Sequence, residues 1–466
     1  MFSSDRQKVL LIGVAGFVVI TTCLPWFFVV KLSSEQAQLS LEHNHLQVGM
    51  STLASGQVLS SIKRSNETDS LIYHFVVNSD CSAYQRWQVL TQIHSARAVK
   101  QVGHYTWIVS GCPLPHERGS KNELTRSQII QDLKEHFPSF SSEDLLIPNV
   151  HFSPDFSNMS VYGGPYADGT KKRTFLNRQG REQTSNYGNH YHFNNKPNGL
   201  RHWAEEHYSD GLQEEAIVLI DPDFLFLTPF QLSDASRPFP GKPVAAAYGL
   251  GSQWLDFNRT AICGHKSPCT RVTDARPYSV GPPYIIHARD VLELSQQWSN
   301  FVPPTYDQYP LLYAEMYAYS MAAAHLEMPH NLLNNIFSGC MVGWPKTTTP
   351  PGPSARAFVD SGSDMIKPVW DGPASCFLPP LVPPTFLHYC RRYGFENPNG
   401  TYYFLAKRRI PHDILNCTAH DRLTLYLSDE KVEIAEGNQD WTTLAACAIL
   451  RGVNYARKQY CSEKRH

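Results

Sequence analysis

No charge of either sign dominates this sequence. Its 41 Lys and Arg stand against 42 Asp and Glu, for a formal charge of −1. The chain therefore lacks the basic field on which a nucleic-acid partner depends. It also lacks any Cys-x-x-Cys pair and any second cysteine pair at zinc spacing, which argues against a zinc-ribbon or zinc-finger domain. No internal repeat is present, so nothing points to a repeat architecture. With 18% charged and 42% hydrophobic residues, the composition is that of an ordinary globular protein. Its length of 466 residues allows one large domain or two smaller ones.

One segment has no charge at all. Val9 to Val30 is apolar except for Thr21 and Thr22, with Arg6 and Lys8 before it and Lys31 after it. That is long enough to cross a bilayer, which takes about 20 apolar residues. No small-residue cleavage site stands out, and Pro25-Trp-Phe-Phe28 reads as an interfacial end. The reading is an uncleaved signal anchor over 9–30, a cytosolic tail over 1–8 and a lumenal remainder. A cleaved signal peptide would give the same compartment without the anchor. Two further features point to the lumen. The sequons at Asn66, Asn158, Asn258, Asn399 and Asn416 are glycosylation acceptors. Of 11 cysteines, Cys23 lies in the apolar segment and the others form an even set, which suits an oxidising compartment. Cys263-Gly-His-Lys-Ser-Pro-Cys269 reads as a small disulfide loop.

Residues 31–70 are rich in Ser, Gln, His and Asn and read as a stem. From Leu71 the pattern changes. Strands are expected at 71–77, 104–110, 216–221, 244–248 and 284–286. Helices are expected at 84–100, 122–137 (with an acidic first turn), 197–207, 288–298, 313–326 and 441–458. Ile147 to Gln183 reads as a long loop, and Pro350 to Pro380 as a surface loop or lid. Strands and helices in this alternation predict an α/β domain with a mostly parallel sheet over 71–445 and a C-terminal helix or tail over 446–466.

The strand expected at Ala216–Asp221 carries the most informative feature. Asp221-Pro222-Asp223 sits at its carboxyl end, where open α/β sheets bind ligands. Two carboxylates at such a point repel each other and are costly to desolvate, unless a cation lies between them. A hard divalent ion takes oxygen ligands of this kind, and the diphosphate of a sugar nucleotide supplies more. A solvated turn is the plain alternative.

Several segments, in order, resemble the hydroxyproline O-arabinosyltransferase family and the related peptidyl-serine galactosyltransferases. They are Tyr84-Gln-Arg-Trp-Gln88, Tyr105-Thr-Trp-Ile-Val-Ser-Gly111, Asn195-Lys-Pro197, Ile217-Val-Leu-Ile-Asp-Pro-Asp223, Val280-Gly-Pro-Pro-Tyr-Ile-Ile286, Ala314-Glu-Met-Tyr317 and Leu387-His-Tyr389. The similarity spans roughly residues 71 to 445. It implies a GT-A type fold, Rossmann-like with helices flanking a mostly parallel mixed sheet. It also implies a divalent metal, usually Mn²⁺, a UDP-sugar donor and retention of the anomeric configuration.

On that resemblance, Asp223 is a direct metal ligand. Asp221 binds the metal directly or through water, or holds the ribose. His388 is the third metal ligand, with a core histidine as the alternative. Tyr84 and Gln88 fall on the donor, and Arg391 and Arg392 either neutralise the leaving diphosphate or form a solvated basic face. Lys407-Arg-Arg409 has the same two readings. Glu315, set among Ala, Met and Tyr, is the candidate catalytic carboxylate. It stabilises developing positive charge, orients the acceptor hydroxyl, or is a structural acid bonded to a tyrosine. His190-x-His192 reads as loop histidines, and Trp203 and Trp344 as packing residues that could stack on sugar or peptide.

The expected protein is thus a single-pass type II Golgi or ER membrane glycosyltransferase. Its acceptor is a secretory protein rich in Hyp, Pro and Ser. Arabinose on hydroxyproline is the first reading and galactose on serine the second. Around His388-Tyr-Cys390 and Lys407-Arg-Arg409 the sequence departs from the arabinosyltransferase pattern, which leaves the donor sugar open. A catalytically silent lumenal protein and a secreted lectin-like binder are the alternatives of other classes.

Overall fold

Alternate residues of the two central apolar runs face two different cores. Phe75, Val77, Val218 and Ile220 belong to one core, and Val76, Ile217 and Leu219 to the other. A strand covered on both faces reads as a nearly continuous apolar run, as 216–220 does; in 72–80, His74 and Asn78 share the Val76 face and are buried there. The computed structural model describes residues 72–113, 123–138, 146–162, 173–176, 181–185, 187–207, 215–233, 236–333, 337–338, 384–390, 392–396, 402–417, 426–427 and 439–463. The expected anchor over 9–30, the stem and the Pro-rich stretch 350–380 lie outside these residues. Among the described residues, no helix is long and apolar enough to cross a membrane.

The chain begins with β1 (Ile72–Asp80), α1 (Ala83–Ala98) and β2 (Gly103–Ser110). The helix α2 (Arg126–His136) and β3 (Leu146–Ser153) follow, and then the hairpin β4 (Arg173–Leu176) and β5 (Glu182–Ser185). Next come α3 (Asn195–His207), β6 (Glu215–Ile220), β7 (Phe224–Phe226) and β8 (Val244–Ala247). After the short α4 (Arg259–Cys263) run β9 (Val280–His287), α5 (Ala288–Gln308) and α6 (Ala314–His325). The remaining strands are β10 (Asn331–Leu333), β11 (Phe337–Ser338), β12 (Phe386–His388), β13 (Arg392–Glu396), β14 (Tyr402–Ala406) and β15 (Tyr426–Leu427). The helix α7 (Gln439–Glu463) comes last.

The expected α/β architecture is present. A seven-stranded sheet has the order β10-β8-β9-β6-β1-β2-β3. Its pairings are parallel except those of β9, which runs antiparallel to both β6 and β8. Helices α1 and α7 share a core with one face, and α3, α5 and α6 with the other. The strand order reverses between β1 and β6, which makes their carboxyl ends the switch point where ligands bind in such sheets.

Several expectations are corrected. The loop expected from Ile147 holds β3, paired with β2 so that Pro148 lies opposite Tyr105. Proline has no N–H to give a ladder, but β3 is an edge strand, where proline is tolerated. Helix α5 continues past Trp298 to Gln308 with Pro303 and Pro304 inside it. An interior proline costs about 3 kcal/mol; burial of Phe301, Val302 and Tyr306 in the second core offsets that cost. Helix α2 has no acidic first turn: a capping box of Thr125 and Gln128 starts it. Helix α7 crosses the boundary expected at 445, and Ala445, Ala448, Ile449 and Val453 all belong to the first core. The tail expected over 446–466 is therefore, as far as Glu463, part of a helix of the domain.

Disulfides link Cys81 to Cys112, Cys417 to Cys461 and, as expected, Cys263 to Cys269. The first joins the residues that follow β1 and β2, directly beside the switch point.

Helix α3 lies so close to the sheet that a side chain at Gly199 has no room. A Cβ there would meet the Asn78 amide, and Ile108 Cγ2 at 3.1 Å. Gly199→Ala is expected to lower stability by about 1–3 kcal/mol, the usual range for overpacking. Urea unfolding measures it, and an unchanged midpoint would contradict so close an approach.

Candidate functional site

Strand β6 ends at Ile220, and Asp221-Pro222-Asp223 forms a tight turn closed by the Phe224 N–H donating to the Asp221 carbonyl at 3.2 Å. Strand β7 then leaves the turn and pairs antiparallel with β12, which sets His388 opposite Phe224. The His388 ring stacks on Phe224 with centroids 4.5 Å apart, and the Tyr389 N–H donates to the Asp223 carbonyl at 2.9 Å. A buried amide on α1 fixes the turn from below. Gln92 Nε2 donates to the carbonyls of Asp221 at 2.8 Å and Phe224 at 3.2 Å. Gln92 Oε1 accepts from the Tyr105 hydroxyl.

The side chains around the turn alternate in charge. Lys196, in the first turn of α3, stands 2.7 Å from Asp221 Oδ1 and 3.2 Å from Glu315 Oε1. Lys407, just beyond β14, pairs with Asp223 Oδ2. His388 Nε2 stands 3.2 Å from Asp223 Oδ1 and 3.9 Å from Asp221 Oδ2. Each acid thus has one oxygen on a lysine and the other turned toward His388. Tyr84, at the start of α1, stands beside Lys407. Burial raises its pKa and Lys407 works against the rise.

Burial also works to raise the Asp223 pKa, but Lys407 and His388 outweigh it and hold the carboxyl well below the usual range. For Lys196, burial works to lower the pKa, and Asp221 and Glu315 outweigh it, so the amine stays charged. Glu315 differs. Its side chain is 3% exposed, and burial raises its pKa to about 7 against the pull of Lys196. Lys196 is shared, and Asp221 holds it more closely. The backbone around Glu315 is pinned: its N–H donates to the Tyr191 hydroxyl at 2.9 Å, and its carbonyl accepts from Trp298 Nε1 at 2.9 Å.

Asp221, Asp223 and His388 can offer one ligand atom each, all within 4.8 Å of one another. Carboxylate oxygens with one imidazole suit a divalent ion such as Mn²⁺. The lysines leave one oxygen of each acid for that role, so the donor set fits a metal. Among the described residues, nothing bonds to His388 Nδ1, and the ring is held by stacking instead.

Of the residues expected at the site, Asp221, Asp223, His388, Glu315 and Tyr84 come together. Gln88 does not join them: its Nε2 donates to the Tyr84 carbonyl at 2.8 Å, so its part is local to α1. Arg391 and Trp344 lie outside the described residues. Arg408 and Arg409 are exposed, as a solvated basic face requires, whereas Lys407 turns inward to Asp223. Trp203 is a packing residue, its ring 5.1 Å from that of His74. Between His190 and His192 it is Tyr191 that matters, fully buried and bonded at Leu312 and Glu315. Lys196, Gln92 and Tyr191 are the functional residues that sequence reasoning missed. For Lys196 a signal existed, since it lies in the Asn195-Lys-Pro197 segment. Of the Lys407-Arg-Arg409 group, it is Lys407 that reaches the acids.

Gln92→Leu removes the donor to two buried carbonyls. It is expected to lower stability by about 1–3 kcal/mol. Urea unfolding measures this, and an unchanged midpoint would free the turn from Gln92. No protein-family model matches the chain, and no curated protein is significantly similar to it.

Proposed function

We propose that this chain is a metal-dependent, retaining glycosyltransferase of GT-A type. It moves a sugar from a UDP-sugar to hydroxyproline on secretory proteins rich in Hyp, Pro and Ser. It works on the lumenal side of the Golgi or ER membrane, anchored by residues 9–30. One observation carries the reading: Asp221, Asp223 and His388 converge at the carboxyl ends of β1 and β6, between two lysines. The disulfides support the lumenal part.

Asp221, Asp223 and His388 would hold a divalent ion, and that ion would supply positive charge for the leaving diphosphate. Lys196 and Lys407 add fixed positive charge on either side, in a buried setting where it acts strongly. Tyr84 stands beside Lys407. Glu315 places a carboxylate next to Lys196, where its ionised form stabilises positive charge developing on the sugar. No dedicated base is needed in a retaining transfer of this kind, since the leaving phosphate can accept the acceptor's proton.

The test is calorimetry of UDP binding with and without Mn²⁺, followed by a screen of UDP-sugars against Hyp- and Ser-containing peptides. Mn²⁺-dependent UDP binding and transfer to Hyp peptides are expected. Transfer to Ser peptides alone would replace the acceptor, and absence of UDP binding in either metal state would leave a silent lumenal protein.

A further inference from the structure

Three histidines and a glutamate meet at the far end of α3, on residues the proposed transfer does not use. Lys196 stands in the first turn of that helix; His202 lies about 9 Å further along the axis, and Glu206 and His207 about 15 Å, at 1.5 Å per residue. His151 projects toward them from the edge strand β3 and is 4% exposed.

We propose that His151, Glu206 and His207 form a second metal site, for a borderline divalent cation of the Zn²⁺ type, which fastens α3 to β3. The three offer ligand atoms all within 4.8 Å of one another. His151 Nδ1 stands 3.7 Å from Glu206 Oε2, too far for a hydrogen bond. Ligand atoms about 2 Å from a tetrahedral zinc are themselves about 3.4 Å apart. The spacing thus fits a shared cation better than a direct bond.

The fourth residue supplies what a metal-binding imidazole needs on its other nitrogen. His151 Nε2 and His202 Nδ1 are 2.9 Å apart. With His151 Nδ1 left unprotonated for the metal, its Nε2 carries the hydrogen and donates it to His202, which fixes tautomer and ring orientation. Glu206 has no Lys or Arg partner among the described residues, whereas its neighbour Glu205 is held by Arg201 at 2.7 Å. His207 is the last residue of α3, the end at which the helix dipole favours positive charge. Two imidazoles and one carboxylate leave a fourth position for water or for a further ligand.

This site is independent of the proposed transfer. The test uses the full-length chain in detergent, stripped with a chelator, exposed to Zn²⁺ and passed through a desalting column before the zinc is counted. A chain carrying Asp223→Asn and His388→Ala, with the first centre disabled, is expected to retain one zinc per molecule. Adding Glu206→Gln and His207→Ala should remove it. His202→Ala should weaken it roughly 10- to 100-fold, the usual loss for an outer partner, as read by competition with a chromophoric chelator. Glu206 is exposed and His207 only half-buried, so their replacement leaves the core intact. Made in the otherwise wild-type chain, the same pair of changes should lower zinc uptake by one ion and cancel a zinc-induced rise in melting temperature. Equal uptake with and without Glu206 and His207, or no zinc retained by the first chain, would overturn the proposal.

Discussion

Asp223→Asn is expected to abolish Mn²⁺-dependent UDP binding and sugar transfer while the chain stays folded. Asparagine keeps the shape of the side chain and one oxygen, but loses the charge that a metal ligand needs. Removing a single preorganised electrostatic contact typically costs 10²–10³ in rate, and here the same change also disables metal binding. The loss should therefore be about 10³-fold or more. Stability falls too, because Lys407 is only 18% exposed and has Asp223 as its paired carboxylate. Breaking a buried pair by removing one member costs about 3–5 kcal/mol, and the remaining amide oxygen makes the loss smaller than for Asp223→Ala. Adding Lys407→Met to Asp223→Asn should recover part of that stability, since no buried charge is then left alone, and should recover none of the transfer. Urea unfolding and turnover on the three variants separate the two roles. Near-normal turnover in Asp223→Asn would remove the residue from the metal site.

The parts of the site legible in the sequence are those that local pattern can mark. Asp221 and Asp223 stood out because acids follow a buried strand, and the sheet because Ala216–Ile220 is apolar on both faces. His388 and Glu315 were found only through short segments that resemble a family in their order. What the sequence did not mark depends on contacts across the chain. Lys407 meets Asp223 across 184 positions, and Gln92 meets Asp221 across 129. Nothing near Lys407 distinguishes it from the exposed Arg408 and Arg409. Proline misled in both of its settings: Pro148 hid an edge strand, and Pro303 and Pro304 lie inside a helix that burial sustains. Gln88, in a matching segment, bonds to its own helix, and the amide that reaches the turn lies one turn further on at Gln92.

The second large effect is a pH dependence set by Glu315. Its ordinary pKa of 4.5 is raised to about 7 in the folded chain. Between those values the folded protein keeps a proton that the unfolded chain has released. Stability therefore falls as pH rises through that window, in the direction opposite to an ion-paired carboxylate such as Asp223. At 1.36 kcal/mol per pKa unit, the fall is on the order of 3 kcal/mol. Glu315→Gln cannot ionise, so its urea midpoint should stay flatter than that of the wild-type chain between pH 5 and pH 8. Identical pH profiles would show that Lys196 fully compensates Glu315 and keeps it charged throughout. Turnover should move the other way. If the ionised carboxylate stabilises positive charge on the sugar, wild-type kcat rises with pH as Glu315 loses its proton, while Glu315→Gln loses about 10²-fold or more in kcat and that limb of the profile. A purely structural acid would flatten the stability profile and leave the kcat profile in place. Opposite pH trends of stability and turnover, both removed by one substitution, would identify Glu315 as a charge kept at the expense of the fold for use on the substrate.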